Sequence, residues 1–322
     1  MKIRTFLKSV AFVGLSAALT LGSVAQADEY RKIATASTTG AFYPIGGVIA
    51  SILNDEMEGY NFTAEATGGS VENARLIGSG ESDIGFFGGD TLWNATHGTG
   101  PFEGRPHIPL APIAKIYSMP LHVVALKGSG IHTVADLDGK TVAVGAPGSG
   151  TGSKAKVVLE GAGLIYGKNL EPRYLNFREG SDALVDGNVD AVVISVGMPS
   201  GNVQEIAATH DIVLASIGEK NLKRMVDAAS YLEPFVIPAG TYQGVDEDVQ
   251  TISTSTYLAV REDMDENEVY EMCMALFDRN LDRFKNSHSA LKSTPVSEYP
   301  KGILPLHPGA KRCYQDMGLL PK

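Results

Sequence analysis

Three short loops rich in Gly, Ser and Thr carry the residues whose chemistry points to ligand binding. Each loop follows a strand-like run and precedes a helix-like run, which places its backbone N–H groups at a helix N-terminus. Unpaired N–H groups and the positive end of the helix dipole favour an anion there. The loops therefore predict a site for a small anion, although ordinary turns and helix caps use the same residue types.

The candidate ligand contacts come from these loops and from the ends of two apolar strands. Open α/β sheets bind ligands at the carboxyl ends of their strands, and Asp90 and Ser195 occupy such positions. Asp90 would either accept a hydrogen bond from a ligand amine or hydroxyl, or cap the helix that follows it. The candidates are Ser37, Thr38, Thr39, Gly40, Phe42, Tyr43, Gly69, Ser70, Asp90, Ser149, Gly150, Thr151, Ser195, Gly197 and Met198.

Recognisable motifs for catalysis and for metal binding are missing from the sequence. It has no G-x-S-x-G and no H-E-x-x-H, and its seven His residues lack metal-ligand spacing. The run GSGTGSK (148–154) departs from the phosphate-loop pattern, and the dinucleotide pattern G-x-G-x-x-G does not fit it either. We therefore expect a binding protein that is not an enzyme and that holds no metal or cofactor.

A strand–loop–helix unit occurs twice, and it predicts how the loops are positioned. KIATAS, TTGAFYPIGG and VIASILNDE form the first unit, and KTVAVGAP, GSGTGS and KAKVVLEGAGL repeat its order. Residues 76–83 and 183–190 also share a frame, with Gly three residues before Asp and an apolar strand next. Strands that alternate with helices predict mostly parallel, doubly wound sheets. The sequence therefore predicts an α/β fold with two lobes of related build.

The first 27 residues predict a signal peptide. Lys2, Arg4 and Lys8 precede an apolar stretch over residues 10–24, and Ala-Gln-Ala (25–27) fits a cleavage site. The apolar stretch is too short, and too rich in Gly, Ser and Thr, to favour a membrane anchor. We expect an exported, periplasmic protein that begins at residue 28.

The composition is that of a globular protein, with 43% hydrophobic and 20% charged residues. Three of the 27 basic residues and none of the 37 acidic residues lie in the first 27 positions, so the remainder has a net charge of −13. This charge argues against nucleic acid as a partner.

Lys115 and Arg178 would pair with a ligand carboxylate or lie on the surface. Cys273 and Cys313 would form a disulfide or remain two buried thiols.

Longer runs around the loops resemble the TAXI-type solute receptors of TRAP transporters. The similarity covers nearly the whole chain after residue 27. The commoner form of the first family motif is S-T-G-G-x-Y-Y-P. This sequence departs from it at Thr39, where a Gly often stands, and it keeps an aromatic residue, Phe42, in place of the first Tyr. The similar runs are STTGAFYPIGG (37–47), TAEATGGSVENARLIGSGESDIGF (63–86), LHVVALKGSGIHTVADLDGKTVAVGAPGSGT (121–151), IPAGTY (237–242) and PLHPGA (305–310).

The resemblance implies a two-lobed periplasmic binding protein of the Venus-flytrap, type II-like kind, with doubly wound sheets joined by a two-crossing hinge. We expect residues 28–122 in the first lobe and 123–256 in the second, with 257–322 returning to the first lobe and ending in helices. The crossings are predicted at 120–127 and 255–262.

The resemblance also implies a function. It points to a monomeric receptor that captures a small organic anion, such as glutamate, 2-oxoglutarate or a related C4–C5 dicarboxylate. The receptor would deliver this ligand to the membrane subunit of a TRAP transporter, which an ion gradient drives. A receptor for an ATP-driven importer, or a periplasmic sensor with the same fold, is the alternative.

Overall fold

The computed structural model describes residues 28–292 and 294–322, so the predicted signal peptide lies outside the described residues. Within this part, ten strands form one mixed sheet. The strands are β1 (Glu29–Ala34), β2 (Tyr60–Glu65), β3 (Ile84–Gly88), β4 (Leu110–Leu126), β5 (Lys140–Ala143), β6 (Leu170–Arg173), β7 (Ala191–Ser195), β8 (Ile212–Leu214), β9 (Glu233–Ile237) and β10 (Val249–Arg261).

Helices cover the faces of the sheet, as the alternating sequence pattern predicts. A π-helical turn at Ala275–Arg279 lies between the eighth and ninth helices. The α-helices are α1 (Phe42–Glu56), α2 (Ser70–Ser79), α3 (Gly89–His97), α4 (Gly150–Gly161), α5 (Phe177–Val185), α6 (Gly201–Thr209), α7 (Glu219–Ala228), α8 (Glu266–Met274), α9 (Leu281–Asn286) and α10 (Pro308–Asp316).

The two lobes have the same internal topology. In the first lobe β1 lies between β2 and β3, and all three strands are parallel. In the second lobe β5 lies between β6 and β7, again in parallel. Both lobes follow the order strand, helix, strand, helix, strand, helix. The predicted α/β fold with two lobes of related build is confirmed.

Two long antiparallel strands, β4 and β10, connect the lobes. Residues 110–120 of β4 pair with β10, whereas residues 121–126 pair with β7 and β8 of the second lobe. The start of β10 pairs with β9, and its remainder pairs with β3 and β4. The predicted two-crossing hinge is therefore present. The predicted lobe boundaries at 122/123 and 256/257 fall inside these strands and stay predictions.

The C-terminal helices pack back onto the first lobe. The hydroxyl of Tyr314 in α10 donates to the Ile113 carbonyl in β4 over 3.1 Å. Cys273 in α8 and Cys313 in α10 form a disulfide with a Cα–Cα distance of 6.2 Å. In residues 28–292 and 294–322, no helix combines the length and apolar character needed to cross a membrane.

Candidate ligand-binding site

A cavity of about 60 Å³ lies between the lobes, at the carboxyl ends of the parallel strands. We call it the helix-terminus cavity, because α2 of the first lobe and α4 of the second begin at its wall. Most of the residues predicted from sequence meet there. The predicted residues that line it are Ser37, Gly40, Phe42, Gly69, Ser70, Asp90, Ser149, Gly150, Thr151 and Ser195.

Five predicted contacts lie away from the cavity wall. Thr38 and Thr39 are exposed, on a turn that the Gly40 N–H closes by donating to a carbonyl three residues earlier. Tyr43 lies half-buried on α1, outside the lining. Met198 is also outside it and packs against the core.

Gly197, the fifth of these predicted contacts, has a packing role. A Cβ at this position would lie 2.5 Å from the Cβ of Ala290 and 3.0 Å from the ring of Tyr117. A side chain would therefore collide with two buried neighbours. Close packing explains the glycine here, and the cavity lies elsewhere.

The first turn of α4 presents free backbone donors. Ser149 caps the helix, since its Oγ accepts from the Gly152 N–H at 3.0 Å and donates to the Ala146 carbonyl at 2.7 Å. The amides of Gly150 and Thr151 have no acceptor among the described residues, as expected for a first helical turn. Both residues line the cavity, so two N–H groups at the positive end of a helix dipole are available at its wall.

The first turn of α2 adds a hydroxyl from the opposite lobe. The Oγ of buried Ser70 accepts from the Gly88 N–H at 3.1 Å, and its own proton is free to donate. Gly69, which precedes the helix, has φ of 113°, a conformation that L side chains rarely adopt. Glycine is thus favoured at this position, where a Cβ would lie 3.5 Å from the Cα of Ser149 in the second lobe.

A buried ion pair crosses between the lobes beside the cavity, and it joins the predicted Asp90 to Lys154, which is absent from our candidates. Lys154 of α4 and Asp90 of α3 place Nζ and Oδ1 4.0 Å apart, with side chains 2% and 5% exposed. The Lys154 ammonium also donates to Ser195 Oγ at 2.7 Å and to Thr254 Oγ1 at 2.6 Å. Both carboxylate oxygens of Asp90 are buried with no hydrogen-bond partner among the described residues. This carboxylate can therefore accept a donor that a ligand supplies.

Burial shifts the pKa of both groups in the pair. It raises the pKa of Asp90, with the charge of Lys154 acting in the opposite direction. It lowers the pKa of Lys154, and Asp90 partly offsets that effect. Burial disfavours the charged form of each group, and each charge stabilises the other. The charged pair is therefore costly to break once the site is closed.

The lobes are in direct contact around the cavity. The Glu72 N–H of α2 donates to the Gly148 carbonyl at 3.1 Å, and the Asn202 side chain donates to the Thr39 carbonyl at 3.2 Å. A Cβ on Gly68 would lie 2.9 Å from a second-lobe carbonyl. The protein is thus in a closed form, and its cavity is smaller than the ~300–1,000 Å³ of typical ligand sites.

The two cations that the sequence singled out lie elsewhere. Lys115 pairs with Glu233 at 4.0 Å. Arg178 lies on the surface and pairs with Asp182 and Glu205. The sequence signal for Lys154 was its position three residues after Thr151, which keeps it on the cavity face of α4.

The fold and the interlobe site define the class, a two-lobed protein with the periplasmic binding protein fold. The chain belongs to the NMT1-like family, whose model matches residues 33–318.

Solved structures have the same fold. PhnD1 from Prochlorococcus marinus, in complex with methylphosphonate, is 11% identical over 91% of this chain and 99% of its own, with a TM-score of 0.56. The alkanesulfonate-binding protein SsuA from Xanthomonas axonopodis pv. citri, bound to MOPS, is 17% identical over 92% and 96%, with a TM-score of 0.51.

A putative L-cystine ABC transporter protein from Listeria monocytogenes is 14% identical, over 82% of this chain and 97% of its own, with a TM-score of 0.51. At these identities the likeness shows the fold alone. The finer TAXI-type assignment stays a prediction.

Proposed function

We propose that the protein is a periplasmic receptor, without catalytic activity, that closes on a small organic anion and presents it to a membrane transporter. One observation carries this proposal. Helix N-termini from both lobes, at Ser70 and Gly150, converge on one cavity between the lobes, beside the buried Lys154. Free amides, dipoles and a cation together stabilise an anion even in a protein of strongly negative net charge.

The ligands that we propose are glutamate, 2-oxoglutarate or a related C4–C5 dicarboxylate. A carboxylate would accept from the amides of Gly150 and Thr151 and from the hydroxyls of Ser70 and Thr151. Asp90 favours a ligand that also brings a donor, because its carboxylate oxygens are buried and unpartnered. Within the proposed set this requirement favours an amino or hydroxy acid over an oxo acid.

The closed cavity is too small for a whole C5 dicarboxylate, so the ligand must enter an open form and hold the lobes slightly further apart. The two forms would be in equilibrium, with the unliganded protein mainly closed, and a ligand that contacts both lobes only in the closed form would stabilise that form further. The ligand-binding residues that we propose are those of the cavity lining, together with Lys154.

Two classes of transporter are candidates for the membrane partner. The motif resemblance favours the membrane subunit of a TRAP transporter, driven by an ion gradient. The structure from Listeria monocytogenes, which has the same fold, is named as an ABC transporter protein, and ABC transporters are the ATP-driven class. The comparisons therefore favour the ATP-driven alternative, and reconstitution of uptake with each class of permease would separate the two.

Calorimetry on the purified protein tests the anion site. Thr151→Val removes one buried hydroxyl at the start of α4 with little change of shape. We expect affinity for L-glutamate or 2-oxoglutarate to fall by roughly 1 kcal/mol when that hydrogen bond is lost. Thr209→Val, at an exposed position in α6, is the matched control and should leave affinity unchanged. Binding of neutral sugars but of neither acid would refute the proposed function.

A further inference from the structure

A second cavity between the lobes lies on the other side of the Asp90–Lys154 pair. Its volume is about 650 Å³, and Asp90 and Lys154 line both cavities. We call it the outer chamber. Trp93 of α3 lines it from the first lobe, and Val157 of α4 and Tyr231 line it from the second. The ion pair is therefore the wall that separates the two cavities.

The sizes of the two cavities assign them different parts of a ligand. The helix-terminus cavity, at about 60 Å³, holds a carboxylate and little more. The volume of the outer chamber, about 650 Å³, is within the ~300–1,000 Å³ typical of small-molecule sites. A ligand longer than the first cavity would hold the lobes slightly further apart, and its far end would then pass between Asp90 and Lys154 into the outer chamber.

The lining of the outer chamber is mixed: Glu103, Lys156 and Glu160 are among its polar members, and three other side chains suit a flat or apolar group. Trp93 contributes an indole whose ring is stacked on His97, with centroids 3.8 Å apart. Val157 is 45% exposed, although a valine in a folded protein is usually buried. Tyr231 is half-buried and adds a second aromatic surface from the opposite lobe. Aromatic and aliphatic groups on both walls would enclose a ring.

The wall between the cavities has its own requirement. The unpartnered carboxylate of Asp90 lies where the linking segment of such a ligand would pass. An ammonium, amide N–H or hydroxyl at that point would supply the missing donor. Lys154 already donates to two hydroxyls there, and these hydrogen bonds hold its ammonium in place. Its positive charge would therefore lie next to the ligand head.

We propose that the outer chamber is a second subsite, which takes the flat or apolar tail of an organic anion whose carboxylate lies at the helix termini and whose linking donor reaches Asp90. This inference rests on the proposed function. The ligand class is an organic acid with an aryl or similar tail, such as an amino acid whose side chain carries an amide-linked ring.

Two probes that differ by one ring test the subsite. Calorimetry would compare L-glutamine with the γ-anilide of L-glutamate, which adds a phenyl group to the same head and amide. We expect the anilide to bind about 3- to 10-fold more tightly, as aromatic pairs in proteins contribute. The gain should disappear in Val157→Ser and in Trp93→Leu, whereas the affinity for L-glutamine should remain.

Val157→Ser changes a partly exposed side chain, so folding is preserved even if Trp93→Leu destabilises α3. Val185→Ser, at an exposed valine of α5 outside the chamber, is the matched control and should keep the gain. Binding of L-glutamine with no gain for the anilide, or a gain that survives Val157→Ser, overturns the subsite and leaves the anion site standing. If neither probe binds, both the amino-acid head and the subsite are overturned. If 2-oxoglutarate nevertheless binds, the anion site stands.

Discussion

Lys154→Met keeps an unbranched side chain in place but removes the charge that faces Asp90 in the closed form. At the observed 4.0 Å, two unit charges attract by about 4 kcal/mol at an effective dielectric constant of 20. Removing one partner of a buried pair costs about 3–5 kcal/mol, because the other charge stays buried and unpaired. Asp90 regains water when the lobes separate. We therefore expect the open form to gain over the closed form by roughly 10²- to 10³-fold.

Small-angle scattering of the unliganded protein measures this change as a larger radius of gyration. The thermal unfolding midpoint should move little, because the open form leaves no charge buried. Asp90→Asn combined with Lys154→Met buries no charge and should close again. Lys156→Met, on the same helix but 59% exposed, is the control for the substitution itself.

The response to pH has a sign that follows from the same pair. In Lys154→Met, burial raises the pKa of Asp90 in the closed form, and the neighbouring cation no longer opposes it. The closed form then binds the Asp90 proton more tightly than the open form does. Closure should therefore return as the pH falls below that raised pKa, and the double variant should show no such return. A radius of gyration equal to wild type at pH 7, or opening that is independent of pH, would refute this reasoning.

Three further predictions concern other parts of the molecule. Gly150→Ala puts a Cβ 3.1 Å from two first-lobe hydroxyl oxygens, so it should weaken ligand binding without lowering stability, while Gly201→Ala, also the first residue of a helix, has open space and should do neither. Burial lowers the pKa of His122 to about 4 from an ordinary 6.5, so the folded state binds this proton less tightly than the unfolded state. The free energy of unfolding, measured with denaturant, should therefore fall by roughly 3 kcal/mol as the pH is lowered from above 6.5 to 4. In His122→Gln this decrease should be smaller. Replacing both Cys273 and Cys313 by Ser opens a crosslink of 40 residues and should cost about 4 kcal/mol of unfolding free energy, and dithiothreitol should then have no added effect.

The lobes and the binding loops could be predicted because their signals are local. The alternation of strand, glycine-rich loop and helix is visible in short windows, and the carboxyl ends of parallel strands meet at one edge. The cap at Ser149 is likewise set by residues within three positions of it. Ten of the fifteen residues predicted as contacts therefore line one cavity.

The remaining features depend on contacts that are distant in sequence. A lone lysine in a helix usually lies on the surface, and the burial of Lys154 depends on Thr254, 100 residues later, and on Asp90 in the other lobe. Thr39 belongs to a motif of the right composition, but the turn directs it to solvent. No window of the sequence contains the distances that decide these outcomes.

Trp93 is the single tryptophan of the chain, and its position between the lobes has a practical consequence. Its indole is half-buried in the wall of a chamber that Tyr231 closes from the opposite side. On the proposed opening of the lobes, more water would reach the indole and its emission would shift to longer wavelength. The molecule thus carries an intrinsic fluorophore at the interface between its lobes, and the proposed opening and closing could be followed in stopped flow without any attached dye.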